Sequence, residues 1–279
     1  SVQAGRGRQA HHLAHLYDYP TAYLQDQAGV DMILVGDSLG MTMLGFDSTL
    51  PVTMDDMVRH TAAVRRGAPN VWLVGDMPYM TYQPSVETAI RHAGRFMAEC
   101  GCDAVKLEGG VEMADRIAGI ARSGIPVIGH LGLTPQSVSA LGGFKLQGKG
   151  AAQAKKIVDD ARALEEAGAF CILLELVPDR VCRLITERAK HCIIMSLGSG
   201  PHAHGQLLIY HDAFALYPKF KPRMAKVFAD AGAVIREGLA GYVKEVTEKT
   251  FPAPENWFGM ADAEYDELQR LLKGDAGDR

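Results

Sequence analysis

Long hydrophobic runs are missing from this sequence of 279 residues. No apolar run approaches the roughly 20 residues that a membrane-spanning helix needs, and the N-terminus has no signal-peptide core. The net charge is −4 and no long basic block occurs, which argues against nucleic acid and an anionic membrane surface as partners. Phosphate-binding motifs are missing as well: no GxGxxG follows the first predicted strand, and no GxxxxGK followed by Ser or Thr occurs.

Cysteine is scarce, and its spacing is not that of a zinc site. The chain has five cysteines, an odd number. They are Cys100, Cys102, Cys171, Cys182 and Cys192. We therefore expect reduced thiols, several of them on buried strands, in a cytoplasmic protein.

Alternating strand and helix patterns fill most of the chain. Short apolar runs predict strands at residues 12–16, 32–35, 71–75, 104–107, 126–129, 170–174 and 191–195, with a weak strand or short helix at 206–214. About eight such units without a linker predict an α/β fold, a (β/α)8 TIM barrel. The expected single domain covers residues 10–260, with extensions at 1–9 and 261–279. Residues 217–250 are predicted to be helical.

Acidic side chains stand at the ends of several predicted strands. Asp37, Asp76 and Glu108 end or follow the second, third and fourth strands, and Glu175 follows the sixth. The C-terminal ends of parallel strands meet at one rim, which is where barrel enzymes place their active sites. Carboxylates gathered there repel one another unless a cation lies among them, and oxygen ligands suit magnesium. The sequence therefore predicts a magnesium site.

Lys106 lies two residues before Glu108, so both side chains should point into the barrel. Ser38 and His130 stand at neighbouring strand ends. This set is suited to enolisation of a 2-oxo acid, in which a cation stabilises the developing enolate charge. Glu175 would remove the C3 proton, and a carbon–carbon bond to an aldehyde or iminium would follow.

Other interpretations of these residues stay open at this point. Asp37 and Ser38 are also common helix N-caps. The buried charges could form a structural ion-pair network, and Lys106 could be the Schiff-base lysine of an aldolase.

Seven motifs in sequence order carry a resemblance to a known family. They are GDSLGM (36–41), DSTLPVT (47–53), HTAAVRRGA (60–68), DMP (76–78), VKLEGG (105–110), GHLGLTPQS (129–137) and GGFKLQGKG (142–150). Together they resemble the ketopantoate hydroxymethyltransferase family, over about residues 17–258. The resemblance implies a (β/α)8 barrel of the phosphoenolpyruvate mutase and isocitrate lyase superfamily, assembled as a homo-decamer. It also implies magnesium as cofactor and 5,10-methylenetetrahydrofolate as co-substrate.

The resemblance also implies roles for individual residues. Asp37 and Asp76 resemble direct magnesium ligands that also contact the substrate, and Glu108 resembles an acid that reaches the metal through water. Ser38 and Lys106 resemble the groups that bind the carboxylate and keto oxygen of 3-methyl-2-oxobutanoate. Glu175 and His130 resemble the catalytic base and the active-site histidine.

Two segments depart from the family pattern. His15-Leu16-Tyr17-Asp18 stands where the family usually has Thr-Ala-Tyr-Asp, and residues 196–205 replace a Gly-Ile-Gly-Ala-Gly segment and the residues after it. One alternative is a paralogue that acts on another 2-oxo acid or electrophile, and another is a non-catalytic oligomeric scaffold. His202 and His204 are expected to face a substrate anion. A second metal site there with His211 is disfavoured, because no acid stands at ligand spacing.

Overall fold

A computed structural model describes residues 11–143 and 145–275 of the chain. The predicted extension at residues 1–9 lies outside the described residues. The strands are β1 (His11–His15), β2 (Met32–Val35), β3 (Trp72–Asp76), β4 (Ala104–Glu108), β5 (Val127–Gly132), β6 (Cys171–Glu175), β7 (Ile193–Leu197) and β8 (Gly205–Ile209).

Helices follow most of the strands. They are α1 (Tyr19–Gln27), α2 (Leu39–Thr42), α3 (Met54–Gly67), α4 (Val86–Cys100), α5 (Ala114–Arg122), α6 (Val138–Leu141), α7 (Ala151–Glu166), α8 (Asp179–Arg188), α9 (Tyr210–Ala213), α10 (Ala231–Glu248) and α11 (Asp262–Asp275). Single 3-10 turns cover Val111–Met113, Pro135–Ser137 and Pro254–Asn256.

The eight strands close into a barrel, with each strand parallel to the next and β8 paired to β1. This confirms the predicted (β/α)8 TIM barrel. Alternate residues of each strand face opposite sides of the sheet, so the chain has two apolar cores. Leu13, Leu34, Val74 and their equivalents fill the barrel interior. The outward residues of the strands pack with the helices in a second, larger cluster.

Local sequence explains where several elements begin and end. Helix α3 begins with the predicted capping box, in which the Thr53 hydroxyl accepts from the Asp56 backbone N–H and the Asp56 carboxylate accepts from the Thr53 N–H. Helix α4 ends at Gly101, which adopts the left-handed conformation (φ 65°) that glycine tolerates. These signals keep the crossover segments short and fix the strand ends at the rim.

Residues 198–204 join β7 to β8 without a helix, and none was predicted there. One part of the chain differs from the sequence prediction. The helix predicted over 217–250 begins only at Ala231, because Pro218 and Pro222 interrupt residues 217–230. The weak element at 206–214 contains both alternatives, a strand followed by the short helix α9.

The chain divides into two compact units, with the boundary between Ala229 and Asp230. The first contains the barrel, and the second contains α10 and α11. The predicted domain limits of 10 and 260 stay a prediction. No helix among the described residues is long and apolar enough to cross a membrane. All five cysteines are free and buried.

Candidate active site

The predicted strand-end residues meet at the C-terminal rim of the barrel. The Lys106 ammonium lies 2.7 Å from Oδ1 of Asp76 and 3.6 Å from Oε1 of Glu108. The Asp37 backbone N–H donates to Oδ2 of Asp76 at 3.0 Å. Asp76 and Lys106 are 0% and 2% exposed, so their charges interact with little screening by water. The structure thus brings the predicted carboxylates and Lys106 into one cluster.

Gln136 connects two of these carboxylates. Its side-chain Nε2 donates to Oδ2 of Asp37 at 2.9 Å, and its backbone N–H donates to Oε2 of Glu108 at 3.0 Å. The Tyr82 hydroxyl donates to Oε1 of Gln136 at 2.7 Å and accepts the Glu108 backbone N–H. Gln136, Tyr82 and their partners are all buried. The network therefore fixes the position of Asp37 relative to Glu108.

Negative charge exceeds positive charge around Asp37. Burial, reinforced by the nearby Asp76, raises the pKa of Asp37 well above its ordinary value. Burial also raises the pKa of Asp76, although Lys106 opposes this effect. Burial alone would lower the pKa of Lys106, but Asp76 and the other carboxylates outweigh it and raise that pKa. Lys106 therefore keeps its proton and pairs with Asp76, whereas Asp37 makes no ion pair among the described residues.

His130 lies between two glutamates. Its Nδ1 is 3.3 Å from Oε1 of Glu108, and its Nε2 is 3.1 Å from Oε2 of Glu175. Burial and then Lys106 lower the pKa of His130, but the contacts with Glu108 and Glu175 outweigh both and raise it to about 9. Burial acts to raise the pKa of Glu108, yet Lys106 and His130 hold it below its ordinary value. His130 is thus a cation at neutral pH and orients Glu175.

Ser38 belongs to a hydrogen-bonded chain on the β1–β2 side of the rim. Its hydroxyl lies 2.7 Å from the Tyr17 hydroxyl and 3.4 Å from Nδ1 of His15. Helix α2 has no side-chain cap, so neither Asp37 nor Ser38 serves as the helix cap that the sequence left open. Both side chains are instead turned toward neighbouring polar groups.

Some residues lie elsewhere than expected. Nδ1 of His204 accepts the backbone N–H of Ile194 at 2.9 Å, near the beginning of β7. That is the end of the barrel opposite the rim, so the expectation that His204 faces a substrate was wrong. The His211 ring packs against Tyr17, with 5.3 Å between ring centroids. The described residues contain no group of three His, Cys, Asp or Glu side chains that could hold a metal ion.

Sequence reasoning missed other residues of the rim. Gln136 and Tyr82 follow strands in loops, where no periodicity marks a side chain as inward, although Gln136 lies in the GHLGLTPQS motif. Asp212 on α9 was also missed. Burial, with the negative charge of Glu175, raises the pKa of Asp212 to about 6. An acid beside a weakly predicted final strand was the only sequence signal for it.

The donor set allows a test of whether a divalent cation fits. Within the described residues, Oδ1 of Asp37 accepts no hydrogen bond, whereas Oδ2 is bonded to Gln136. Burial, reinforced for Asp37 by the nearby Asp76, raises the pKa values of both aspartates, and a bound cation would stabilise their charged forms. Magnesium is commonly held by one or two carboxylates together with waters and substrate oxygens. Asp37 and Asp76 fit this pattern even though no three-residue metal group is formed.

Comparison with known proteins decides the family. A family model described as ketopantoate hydroxymethyltransferase matches residues 3–254. The chain belongs to the ketopantoate hydroxymethyltransferase family. It is 49% identical over 261 residues to 3-methyl-2-oxobutanoate hydroxymethyltransferase of Thermus thermophilus, covering 92% of this chain and 99% of the relative. It is 48% identical to the enzyme of the same name from Syntrophobacter fumaroxidans, covering 97% and 95% of the two chains.

Solved structures with the same fold come from more distant proteins. A phosphonopyruvate hydrolase in complex with oxalate and Mg²⁺ has a TM-score of 0.62 at 15% identity and covers 96% of this chain and 93% of its own. A 2,3-dimethylmalate lyase of the phosphoenolpyruvate mutase and isocitrate lyase superfamily has a TM-score of 0.56 at 16% identity, covering 97% and 94%. These likenesses confirm the barrel fold.

Family membership settles one alternative. This ketopantoate hydroxymethyltransferase family member is an enzyme that transfers hydroxymethyl groups, and not a non-catalytic scaffold. The protonated state of Lys106 argues against a second alternative, because a Schiff-base lysine must lose its proton to attack a carbonyl.

Proposed function

We propose that the protein transfers a hydroxymethyl group from 5,10-methylenetetrahydrofolate to C3 of 3-methyl-2-oxobutanoate, giving 2-dehydropantoate for pantothenate synthesis. The observation that carries the proposal is the placement of Glu175, oriented by His130, at the same rim as the cluster of Asp37, Asp76 and Lys106. A base therefore lies opposite a charged site suited to a 2-oxo acid. The names of the relatives support the choice of acceptor.

Asp37 and Asp76 would hold a magnesium ion, and Glu108 would reach it through water. When bound, the ion would supply positive charge beside the carboxylate and keto oxygens of the substrate, where negative charge develops. The burial of the two aspartate carboxylates, whose charged forms a cation would stabilise, supports this assignment. The Mg²⁺ and oxalate held by the phosphonopyruvate hydrolase of the same fold also support it.

Lys106 and Ser38 would bind the oxygens of the 2-oxo acid. Lys106 is held by Asp76 at 2.7 Å and keeps its proton, so its ammonium can donate to the keto oxygen as that oxygen gains charge. The Ser38 hydroxyl is positioned by Tyr17 at 2.7 Å. Both groups are buried or partly buried, so they are oriented before substrate enters.

Glu175 would act as the base that removes the C3 proton. Its Oε2 faces Nε2 of His130 at 3.1 Å, which leaves Oε1 to accept the proton. The His130 cation stabilises the Glu175 carboxylate before the proton arrives. Water would release the one-carbon unit from the folate as formaldehyde, breaking its bonds to nitrogen and leaving tetrahydrofolate. The substrate enolate would then attack this aldehyde carbon, forming the bond to C3, and the aldehyde oxygen would take up a proton to become the new hydroxyl.

We also propose a cytoplasmic homo-oligomer, a decamer by family resemblance. Helix α10 supports the oligomer, because Val234, Ile235, Leu239, Tyr242 and Val243 are each more than half exposed. Exposed apolar surface of this kind is typical of subunit interfaces. The five free, buried thiols support the compartment.

Product formation tests the proposal directly. Purified protein is stripped of metal with a chelator and assayed by NMR for 2-dehydropantoate, with 5,10-methylenetetrahydrofolate or free formaldehyde as donor. We expect turnover with the folate that needs added Mg²⁺, and slower turnover with formaldehyde. Metal-independent turnover would contradict the magnesium assignment, and turnover with formaldehyde together with none with the folate would contradict the folate as donor.

The paralogue alternative is tested in the same assay. His15 and residues 196–205, which depart from the family pattern, lie on strands or loops of the barrel, and His15 lies at the rim. A panel of pyruvate, 2-oxobutanoate and 3-methyl-2-oxobutanoate compares the acceptors. We expect the highest kcat/KM for 3-methyl-2-oxobutanoate, and a preference for another acid would assign the protein to a different acceptor.

A further inference from the structure

His15 is a buried rim residue to which the proposed mechanism gives no part. It is the last residue of β1, paired with Leu34 of β2 and Ile209 of β8. Leu13, two residues earlier, belongs to the apolar core of the barrel interior, so His15 faces the same interior at the catalytic end. The side chain is 6% exposed. His15 therefore lies inside the barrel mouth rather than on its outer surface.

The neighbouring strand leaves room for the imidazole. A Cβ added at Gly36 would lie 2.8 Å from Nδ1 and 2.9 Å from Cε1 of His15, closer than real Cβ contacts. Because Gly36 has no side chain, the imidazole ring of His15 can occupy the space beside it. The position of the ring is coupled to the strand end that carries Asp37 and Ser38.

The two ring nitrogens of His15 differ in their partners. Nδ1 lies 3.4 Å from the Ser38 hydroxyl, which is 2.7 Å from the Tyr17 hydroxyl. Nε2 is buried and has no hydrogen-bond partner among the described residues. If Tyr17 donates to Ser38 and Ser38 donates to Nδ1, the proton of the neutral ring lies on Nε2. That arrangement leaves a buried donor unused.

The surroundings keep the ring neutral and supply no acceptor for this donor. Burial, and then the positive charges of Lys106 and His130, lower the pKa of His15 well below its ordinary value. Lys106 has only donors, and His130 as a cation also has only donors. An anion that binds beside Nε2 of His15 would accept from this donor and would be attracted by the positive charges of Lys106 and His130.

We propose that Nε2–H of His15 donates a hydrogen bond to the carboxylate of the bound 2-oxo acid and thereby sets substrate affinity. The inference rests on the proposed function, since it concerns the substrate of that site. His15 would be a third protein donor to the substrate, beside Ser38 and Lys106. This role would explain a histidine in residues 15–18, one of the two segments that depart from the family pattern. His15 acts by binding and positioning, and proton transfer stays with Glu175.

A matched pair of variants separates the two nitrogens. An asparagine amide nitrogen can occupy the place of Nδ1, and a glutamine amide nitrogen can occupy the place of Nε2. His15→Asn keeps a polar contact to Ser38 but loses the donor toward the substrate, whereas His15→Gln keeps that donor. Circular dichroism and thermal melting confirm that both variants fold. Calorimetry then measures the Kd of 3-methyl-2-oxobutanoate and of 2-oxobutanoate with Mg²⁺ present.

We expect His15→Asn to raise both Kd values about 10-fold to 100-fold, the effect of losing one hydrogen bond to a charged group. His15→Gln should stay within about 3-fold of the wild type. In steady-state assays, the loss in His15→Asn should appear mainly in KM rather than in kcat. An equal loss for the two acids is expected because they share the carboxylate.

Several results would overturn the inference. Wild-type affinity in His15→Asn, or equal losses in both variants, would show that His15 acts only through Ser38 or not at all. A loss confined to the branched acid would place His15 against the alkyl group instead of the carboxylate. If the wild-type protein binds neither acid, the proposed function fails and the inference fails with it. If the wild-type protein binds the acids and His15→Asn binds them equally well, only the inference fails.

Discussion

At the scale of single residues, Gln136 links the charged groups of the site without carrying charge itself. It donates to Asp37 through its side chain and to Glu108 through its backbone, and it accepts from Tyr82. A neutral donor between two carboxylates lowers their repulsion without neutralising either. Groups of this kind orient the oxygens that bind a metal.

Replacing Gln136 should weaken magnesium binding. We expect Gln136→Ala to raise the Kd of Mg²⁺ about 10-fold to 100-fold, because Asp37 loses the donor that holds Oδ2. Calorimetric titration of the metal-free protein measures the change. Gln147→Ala is the matched control, since the Gln147 side-chain amide donates to the Lys145 carbonyl and not to a carboxylate. Equal Kd values for Gln136→Ala and the control would contradict the role of the network.

Asp212 gives a prediction for the pH dependence of stability. Its pKa is raised to about 6 by burial and by Glu175, so the folded protein holds this proton more tightly than the unfolded chain does. The wild type therefore loses stability as the pH rises from about 4 through 6, where Asp212 ionises. Asp212→Asn lacks this loss. Its free energy of unfolding, relative to the wild type, should increase by about 1–2 kcal/mol between pH 4 and 7.5, after allowance for screening by water.

An exposed aspartate provides a control of opposite sign. Asp159 pairs with Lys155, which lowers the pKa of Asp159. Asp159→Asn should therefore lose stability relative to the wild type as the pH rises. Denaturant titrations compare Asp212→Asn at pH 4 and 7.5, and compare Asp159→Asn at about pH 2.5 and 5, because a lowered pKa acts below the ordinary aspartate value. A flat difference for Asp212→Asn across its range would contradict the assigned environment of Asp212.

The positions of acidic residues at strand ends could be predicted from the sequence, and the positions of rim residues in loops could not. A strand that ends in an acid places that acid at a known rim, which is why Asp76, Glu108 and Glu175 were found. Tyr82 and Gln136 lie after their strands, where the direction of a side chain depends on the folded loop. His15 was predicted only to lie in a segment that departs from the family pattern, because its proposed role depends on a ring nitrogen left without a partner among the described residues.

At the scale of elements, the end of β5 fixes the end of β6. Gly132 is the last residue of β5 and has φ +92°, and a Cβ there would collide with the backbone carbonyl oxygen of Glu175. Gly132 is also paired with Glu175 across the two strands. The absence of a side chain at Gly132 therefore permits the close approach that positions the base.

Gly132→Ala tests this coupling. The added methyl group must push against the Glu175 backbone, so we expect a loss of more than about 2 kcal/mol in unfolding free energy. We expect kcat to fall at least 10-fold as Glu175 moves. Gly124→Ala is the control, because Gly124 has φ +84° but open space around it. It should lose only about 1 kcal/mol and keep wild-type kcat, and equal effects of the two variants would contradict the steric argument.

Element boundaries show where sequence patterns stop being informative. Apolar runs predicted β2 to β7 within a few residues, because buried parallel strands are uniformly apolar. β1 was a weaker prediction, since three of its five residues are histidines. The connection from β7 to β8 was predicted without a helix, but its path was not predicted. The residues between these strands are polar and glycine-rich. That composition does not show that the chain returns to the other end of the barrel within residues 198–204.

At the scale of the whole molecule, helix α10 presents apolar side chains to solvent along its length. Leu239 and Val243 are 59% and 61% exposed, and none of the residues of this helix is buried. A helix in this state gains little from hydrophobic burial within its own chain. The proposed oligomer would cover this apolar face.

Leu239→Asp tests the assembly. Light scattering after size exclusion should give the wild type a mass that is a multiple of 30.2 kDa. The variant should form a smaller species, since a charge at a buried interface is costly. Lys244→Asp places the same side chain on a polar position of α10 and should keep the wild-type mass. A monomeric wild type would contradict the proposed oligomer.

The central claim is that Glu175 removes the C3 proton of a 2-oxo acid at a magnesium-dependent site. Proton exchange at C3 of 3-methyl-2-oxobutanoate in D₂O, followed by NMR, tests it without any folate. The account predicts exchange that needs Mg²⁺ and falls at least 100-fold in Glu175→Gln, because the amide cannot accept the proton. Exchange that persists in Glu175→Gln, or that proceeds equally without Mg²⁺, would contradict the account.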